Sequence, residues 1–287
     1  MLNEDQSEGQ STLMSRRANE FLEKVLFYLK KRYDQDICSI ILFGSHAIKQ
    51  NTKISDIDLL IVMKDTVDSK TMRKIARNLN WLTFSAGIKE PAKGLTRILR
   101  AIETKTGISV CFFLCHRQDF IKWRFAKIFG VNQLLAKLLA PRYLVRVGIQ
   151  THGITLVGED LLTKIAQHEI SASQLAKSCL MNIIIAMGAL LIAPLSSRAT
   201  FYSLGAVKWS LISSYSYLVG KGAAIAEIAD YFKNELQIGP FLFSQLDLLM
   251  QLRESLGQSS GFSIKTPLSV FLIHRKAFQK QKRKKEQ

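Results

Sequence analysis

At 287 residues and 47% hydrophobic content, the chain is long and apolar enough for one large domain or two ordinary ones, which excludes a disordered protein. Forty Lys and Arg against 23 Asp and Glu leave a formal net charge of +17, so a polyanion is the expected partner and a polycationic one is disfavoured. Cys38, Cys111, Cys115 and Cys179 form no zinc-type pair of pairs, which argues against a metal–thiolate site and for a reducing, cytoplasmic compartment.

Residues 1–19 are polar, lack the apolar core of a secretion signal, and read as a disordered lead-in. From Glu20 to Tyr33, Phe21, Val25, Leu26 and Leu29 form one stripe with lysines opposite, which predicts an amphipathic helix. Two short β-branched or aromatic runs follow, Ser39 to Phe43 and Ile57 to Met63, and both predict strands. A basic helical pattern covers Ser69 to Ser85, Ile108 to Leu114 ("ISVCFFL") predicts a third strand, and "GITLVGEDLL", Gly153 to Leu162, is the last strand-like run. Strands alternating with helical segments indicate an α/β arrangement.

From Ser171 to Leu256 the pattern is helical, with turn signals at Pro194 to Ser197, at Gly220 to Gly222 and at Gly239-Pro240, which predicts a bundle of about four helices. Ser178 to Ser197 is uncharged and about as long as a bilayer span, but Asn182, Gly188 and Pro194 interrupt it, so a buried bundle helix is expected and a membrane partner is not. The end, "KAFQKQKRKKEQ", reads as a basic tail. The expected organisation is a lead-in at 1–19, an α/β domain at 20–165, a helical domain at 166–275 and a tail at 276–287.

The stretch that carries chemistry is "ILFGSHAIKQNTKISDIDLLIV". Side chains i and i+2 of a strand share a face, so Asp56 and Asp58 point the same way. Two carboxylates repel by about 1 kcal/mol at ~4 Å in water and by more at lower effective dielectric, and a cation is the simplest offset. Mg²⁺ takes carboxylate oxygens together with waters and substrate phosphates, which makes a metal-bound nucleoside triphosphate a sensible occupant. Gly44 lets backbone approach a phosphate, while Ser45 can cap the next helix with its N–H and hydroxyl facing the anion. A helix-cap or loop role for "ISDID" is the competing reading, and the Leu-Leu-Ile-Val that follows disfavours it. Trp81, Trp123 and Trp209 read as core or interface positions rather than base-stacking platforms.

This apolar strand, Gly-Ser, ten residues, then Asp-x-Asp inside a second strand resembles the signature of the nucleotidyltransferases of the DNA polymerase β superfamily. The resemblance implies an α+β fold: an N-terminal polymerase-β-like nucleotidyltransferase domain, a mixed sheet with helices, followed by an all-α helical bundle. It implies Gly44 and Ser45 holding triphosphate, Asp56 and Asp58 as catalytic ligands of Mg²⁺ or Mn²⁺, and transfer of an NMP from ATP or another NTP to an acceptor hydroxyl. Many small relatives read Gly-Ser-x-Ala-Arg-Gly; here Ala47 matches, the Arg is missing, and His46 or Lys49 is the candidate for the positive charge. Active members add a third carboxylate on a later strand, whereas "GISVCFFLC" contains none: Ser109 or Cys111 takes the expected position, and Glu103 and Asp119 lie just outside. For a +17 chain an RNA end or a protein hydroxyl fits the acceptor better than a polycationic drug. The alternative is a catalytically weak NTP- or RNA-binding module or regulator.

Overall fold

The computed structural model describes residues 4–47, 57–87, 111–166, 170–194, 196, 198–255 and 257–286, with side chains from residue 19 onward. They divide into two compact units: Met1–Gln133 with His152–Ala166, and Leu134–Thr151 with Gln167–Gln287.

The first unit opens on α1 (Glu4–Tyr33), which is helical through most of the stretch expected as a lead-in. Strands β1 (Ile37–Phe43), β2 (Asp58–Met63), β3 (Phe112–His116) and β4 (Ile154–Gly158) form one mixed sheet in the order β3-β2-β1-β4. β1 runs antiparallel to β2 and β4, and β2 runs parallel to β3. The register pairs Ile40 with Ile61 and Leu42 with Leu59, so these side chains and Met63 share one face. That face is buried under Phe21, Val25 and Leu29 of α1 and under Ile75 and Leu79 of α2 (Ser69–Ser85). The N-terminus of α2 is fixed by Asp68, whose carboxylate accepts from the Thr71 N–H at 2.7 Å.

The opposite face carries an aromatic cluster. Phe43 and Phe113 lie 6.1 Å apart between ring centroids, and Phe113 continues to Phe129 at 4.8 Å. Two short helices, α3 (Arg117–Ile121) and α4 (Phe125–Ile128), bring Phe120, Trp123 and Phe125 into this group. Trp123 is buried, as expected of a core position. The third strand begins four residues later than expected from the apolar run at Ile108, because such a run sets a strand's existence better than its ends. Part of that run, 108–110, lies outside the described residues.

The second unit is helical: α5 (Gln133–Leu139), α6 (Arg142–His152), α7 (Ala172–Ile192), α8 (Arg198–Val219), α9 (Ile225–Asn234), α10 (Pro240–Ser255) and α11 (Ser260–Glu286). The expected breaks fall between α7 and α8, between α8 and α9, and at Pro240, which starts α10 where its missing N–H costs nothing. Residues 134–151 group with this unit, ahead of the boundary expected near 165. The basic run 276–286 is not a separate tail but the last turns of α11, since Lys and Arg are good helix formers.

α7, α8 and α11 pack against one another. α7 buries Leu175, Ser178, Asn182, Ala186 and Ala189 on one side, whereas Leu180, Ile184, Met187 and Leu191 on the other side are exposed. This helix is therefore half-covered rather than fully buried, and by length and composition alone it could cross a membrane. Its buried side carries a polar seam. Ser178 and Ser213 hydroxyls are 2.6 Å apart, and Asn182 Nδ2 donates to Ser178 Oγ at 3.2 Å. His274 of α11 places Nδ1 2.8 Å from the Val270 carbonyl and Nε2 3.4 Å from Ser178 Oγ.

Burial pushes the His274 imidazole down from 6.5 to about 4, so it stays neutral in the folded protein at neutral pH. The unfolded chain takes up this proton near pH 6.5 and the folded one only near 4, so unfolding absorbs a proton in between and stability falls as pH drops through that window. The full loss is about 3 kcal/mol. Urea unfolding at pH 7.5 and stepwise down to 4 is expected to show that decline, and His274→Gln is expected to flatten it by a similar amount.

Candidate functional site

β1 and β2 end together: Phe43 is paired with Asp58, and the chain leaves β1 through a turn over residues 44–47. Gly44 adopts φ +73°, a left-handed conformation that favours glycine. A Cβ on Gly44 would collide with Asp58 Oδ2, so the carboxylate lies against the glycine backbone in space that any other residue would fill. Ser45 follows, nearly buried at 8% exposure, then half-buried His46 and buried Ala47. Asp58 itself is half-buried, open enough to meet a ligand. Gly44, Ser45 and Asp58 are thus gathered at one end of the sheet, with His46 in the same turn. Lys49 and Asp56 lie outside the described residues, as does any helix that Ser45 would cap.

The lateral neighbour of Asp58 is Cys111. The parallel register pairs Leu59 with Phe112, and Leu59 N–H donates to the Cys111 carbonyl at 3.1 Å, which sets Cys111 one step back beside Asp58. Cys111 is buried at 1% exposure. Of the two residues expected at the third-carboxylate position, Cys111 stands beside Asp58, while Ser109, like Glu103, falls outside the described residues.

Asp119 belongs elsewhere. It sits in α3, past His116, which pairs with Met63 at the far end of β2, five residues or roughly 16 Å from Asp58. There it is buried and accepts from Arg124 Nη1 at 2.9 Å, with Lys127 Nζ at 3.5 Å. His116 and Arg117 also tie down this far end: His116 Nδ1 lies 3.2 Å from the Lys64 carbonyl, and Arg117 Nη2 donates to Glu159 Oε2 at 3.3 Å. Lys164 joins Glu159, and these two cations hold its carboxyl below the usual carboxylate range.

The donor chemistry near Gly44 suits a hard cation. Asp58 offers carboxylate oxygen, the chain supplies Asp56 two residues earlier, and no group of three or more His, Cys, Asp or Glu gathers among the described residues. One or two carboxylates completed by substrate phosphates is how Mg²⁺ is commonly held.

Residues 23–90 match the model of the polymerase β nucleotidyltransferase family. The matched span contains the turn at Gly44, both paired strands and α2. Residues 23–90 are therefore similar to a nucleotidyltransferase domain of the polymerase β type, and a helical region follows in the chain. A solved spectinomycin adenyltransferase, AAD(9) from Enterococcus faecialis, crystallised with ATP and spectinomycin, is similar in fold. The superposition has a TM-score of 0.56 at 10% identity and covers 90% of this chain and 98% of that one. No curated protein sequence matches the chain.

Proposed function

We propose that the protein is an Mg²⁺-dependent nucleotidyltransferase that moves an NMP, AMP by preference, from an NTP to an acceptor hydroxyl. The observation that supports this reading is the contact of the Asp58 carboxylate with the left-handed Gly44 backbone, in this reading the metal-binding group and the phosphate-binding turn. Gly44 and Ser45 would take triphosphate oxygens through backbone N–H and hydroxyl, and His46 with Lys49 would add positive charge. Mg²⁺ held by Asp56 and Asp58, when bound, neutralises charge on the phosphates and polarises the α-phosphoryl group. Phe43, the cross-strand partner of Asp58, gives the carboxylate an apolar neighbour, which favours charge interactions there. ATP as donor is supported by the adenyltransferase of similar fold.

The acceptor is a small hydroxylated molecule, an RNA end or a protein hydroxyl: the similar fold was solved with spectinomycin, while the net charge of +17 favours RNA or an acidic protein. A cytoplasmic location is part of this reading and is supported by four free thiols. One observation favours a second reading. Cys111 beside Asp58 supplies no base for the acceptor's proton, as in a module that binds NTP and turns it over weakly.

The deciding assay incubates the purified protein and Mg²⁺ with each α-labelled NTP and three acceptor pools: total RNA, cell protein, and small hydroxylated compounds. Label moving to one pool identifies the acceptor class. NTP binding with no transfer to any pool selects the weak-turnover reading.

A further inference from the structure

We propose that the outer face of α2 binds a single-stranded polynucleotide, with Lys70, Arg73, Lys74 and Arg77 against phosphates and Trp81 with Phe84 stacking on bases. α2 contains no Asp or Glu after its cap, and it buries Ile75, Leu79 and Thr83 against the sheet. At 3.6 residues per turn, positions 70, 73, 74, 77, 81 and 84 fall on the opposite side as one continuous stripe, and all six are exposed. Trp81 leaves 67% of its surface in solvent and Phe84 46%. Trp81 and Phe84, three residues apart on one helix face, lie side by side, and a contiguous apolar patch rimmed by charge is what marks an interaction site.

The order along the stripe is informative. Four cations occupy the N-terminal half and two rings the C-terminal half, and the stripe spans ~21 Å, room for a tract of about four nucleotides. A positively charged track leading to aromatic platforms is the arrangement that holds single strands, because every base has a π-face and every linkage a negative charge. The neighbouring helix exposes a ring and a cation of its own. Asn78 of α2 donates to the Tyr28 hydroxyl of α1 at 2.6 Å, and α1 exposes Phe27 at 67% with Lys31 Nζ 5.5 Å above its ring. An anionic bilayer fits this face less well, since a membrane-lying helix inserts a continuous apolar side and that side of α2 is committed to the sheet. The assignment does not depend on the transfer reaction.

The test uses the full chain and a fluorescent oligouridylate of about 12 nucleotides, with anisotropy measured between about 50 and 200 mM salt. Trp81→Ala is expected to weaken binding roughly tenfold with the salt slope unchanged, and Trp81→Phe to retain most of the affinity. Arg73→Gln/Arg77→Gln is expected to reduce the slope by about two. Lys280→Gln/Arg283→Gln on α11 removes the same charge from the second unit and is expected to change affinity less than about twofold. Each variant is checked by far-UV circular dichroism. The proposal is overturned by Trp81→Ala binding like wild type, by the α11 variant losing as much as the α2 variant, or by no binding at all. It is also overturned if Trp81→Ala loses phosphatidylserine vesicles while keeping the oligonucleotide.

Discussion

Asp58→Asn is expected to lower nucleotidyl transfer at least about 10³-fold in the labelled-NTP assay, because metal polarisation supplies several kcal/mol of barrier lowering and each 1.36 kcal/mol is tenfold. The substitution is nearly isosteric. Asparagine keeps the volume that lies against Gly44 and keeps the backbone pairing with Phe43. What it loses is the negative charge and the second acceptor oxygen. Thermal midpoints of the two proteins are therefore expected to agree within a few degrees. Activity that survives Asp58→Asn with a normal Mg²⁺ dependence would remove Asp58 from the chemistry and with it the proposed function.

Much of the sheet was legible because its signals are local. β1 and β2 announce themselves as short β-branched runs that end in polar loops, and their observed ends fall within two residues of those expected. The breaks in the helical unit were legible for the same reason: Pro194, Gly220 and Gly239-Pro240 act on their own backbone. The Gly44–Asp58 contact was legible only as a motif. Nothing between residues 44 and 58 states that the two strands end side by side, and the register supplies that.

What stayed hidden depends on partners distant in sequence. That Cys111 stands beside Asp58 follows from the register of β3 on β2, which alternation within one strand does not contain. Of the core and interface positions expected for Trp81, its helical phase opposite Ile75 and Leu79 excludes the core, and that phase is available in the sequence. α7 buries its polar Gln174, Ser178 and Asn182 and exposes Leu180, Ile184, Met187 and Leu191, the reverse of the usual pattern, so composition could not say which side the neighbouring helices cover. At 134–151 the chain visits the helical unit before returning to form β4, and no composition shift marks the excursion.

Gly44→Ala tests whether the turn and the carboxylate work as one device. Two effects add. The left-handed backbone at φ +73° costs a residue with a Cβ about 1–2 kcal/mol, and the new methyl group must displace the Asp58 carboxylate. Gly87 separates them, since it ends α2 at φ +67° with nothing within 4 Å of where its Cβ would stand. Gly87→Ala is expected to lose the same 1–2 kcal/mol or so in urea unfolding and to transfer label normally. Gly44→Ala is expected to lose somewhat more stability and to fall about 10²-fold in transfer, because a displacement of about 1 Å at a reacting site has that effect. Mg²⁺ titration of the Gly44 variant then locates the fault. A weakened Mg²⁺ dependence reports a moved carboxylate, whereas a raised KM for NTP at normal Mg²⁺ dependence reports a damaged phosphate turn. Equal transfer by the two alanine variants would mean that the contact between Gly44 and Asp58 is packing and nothing more.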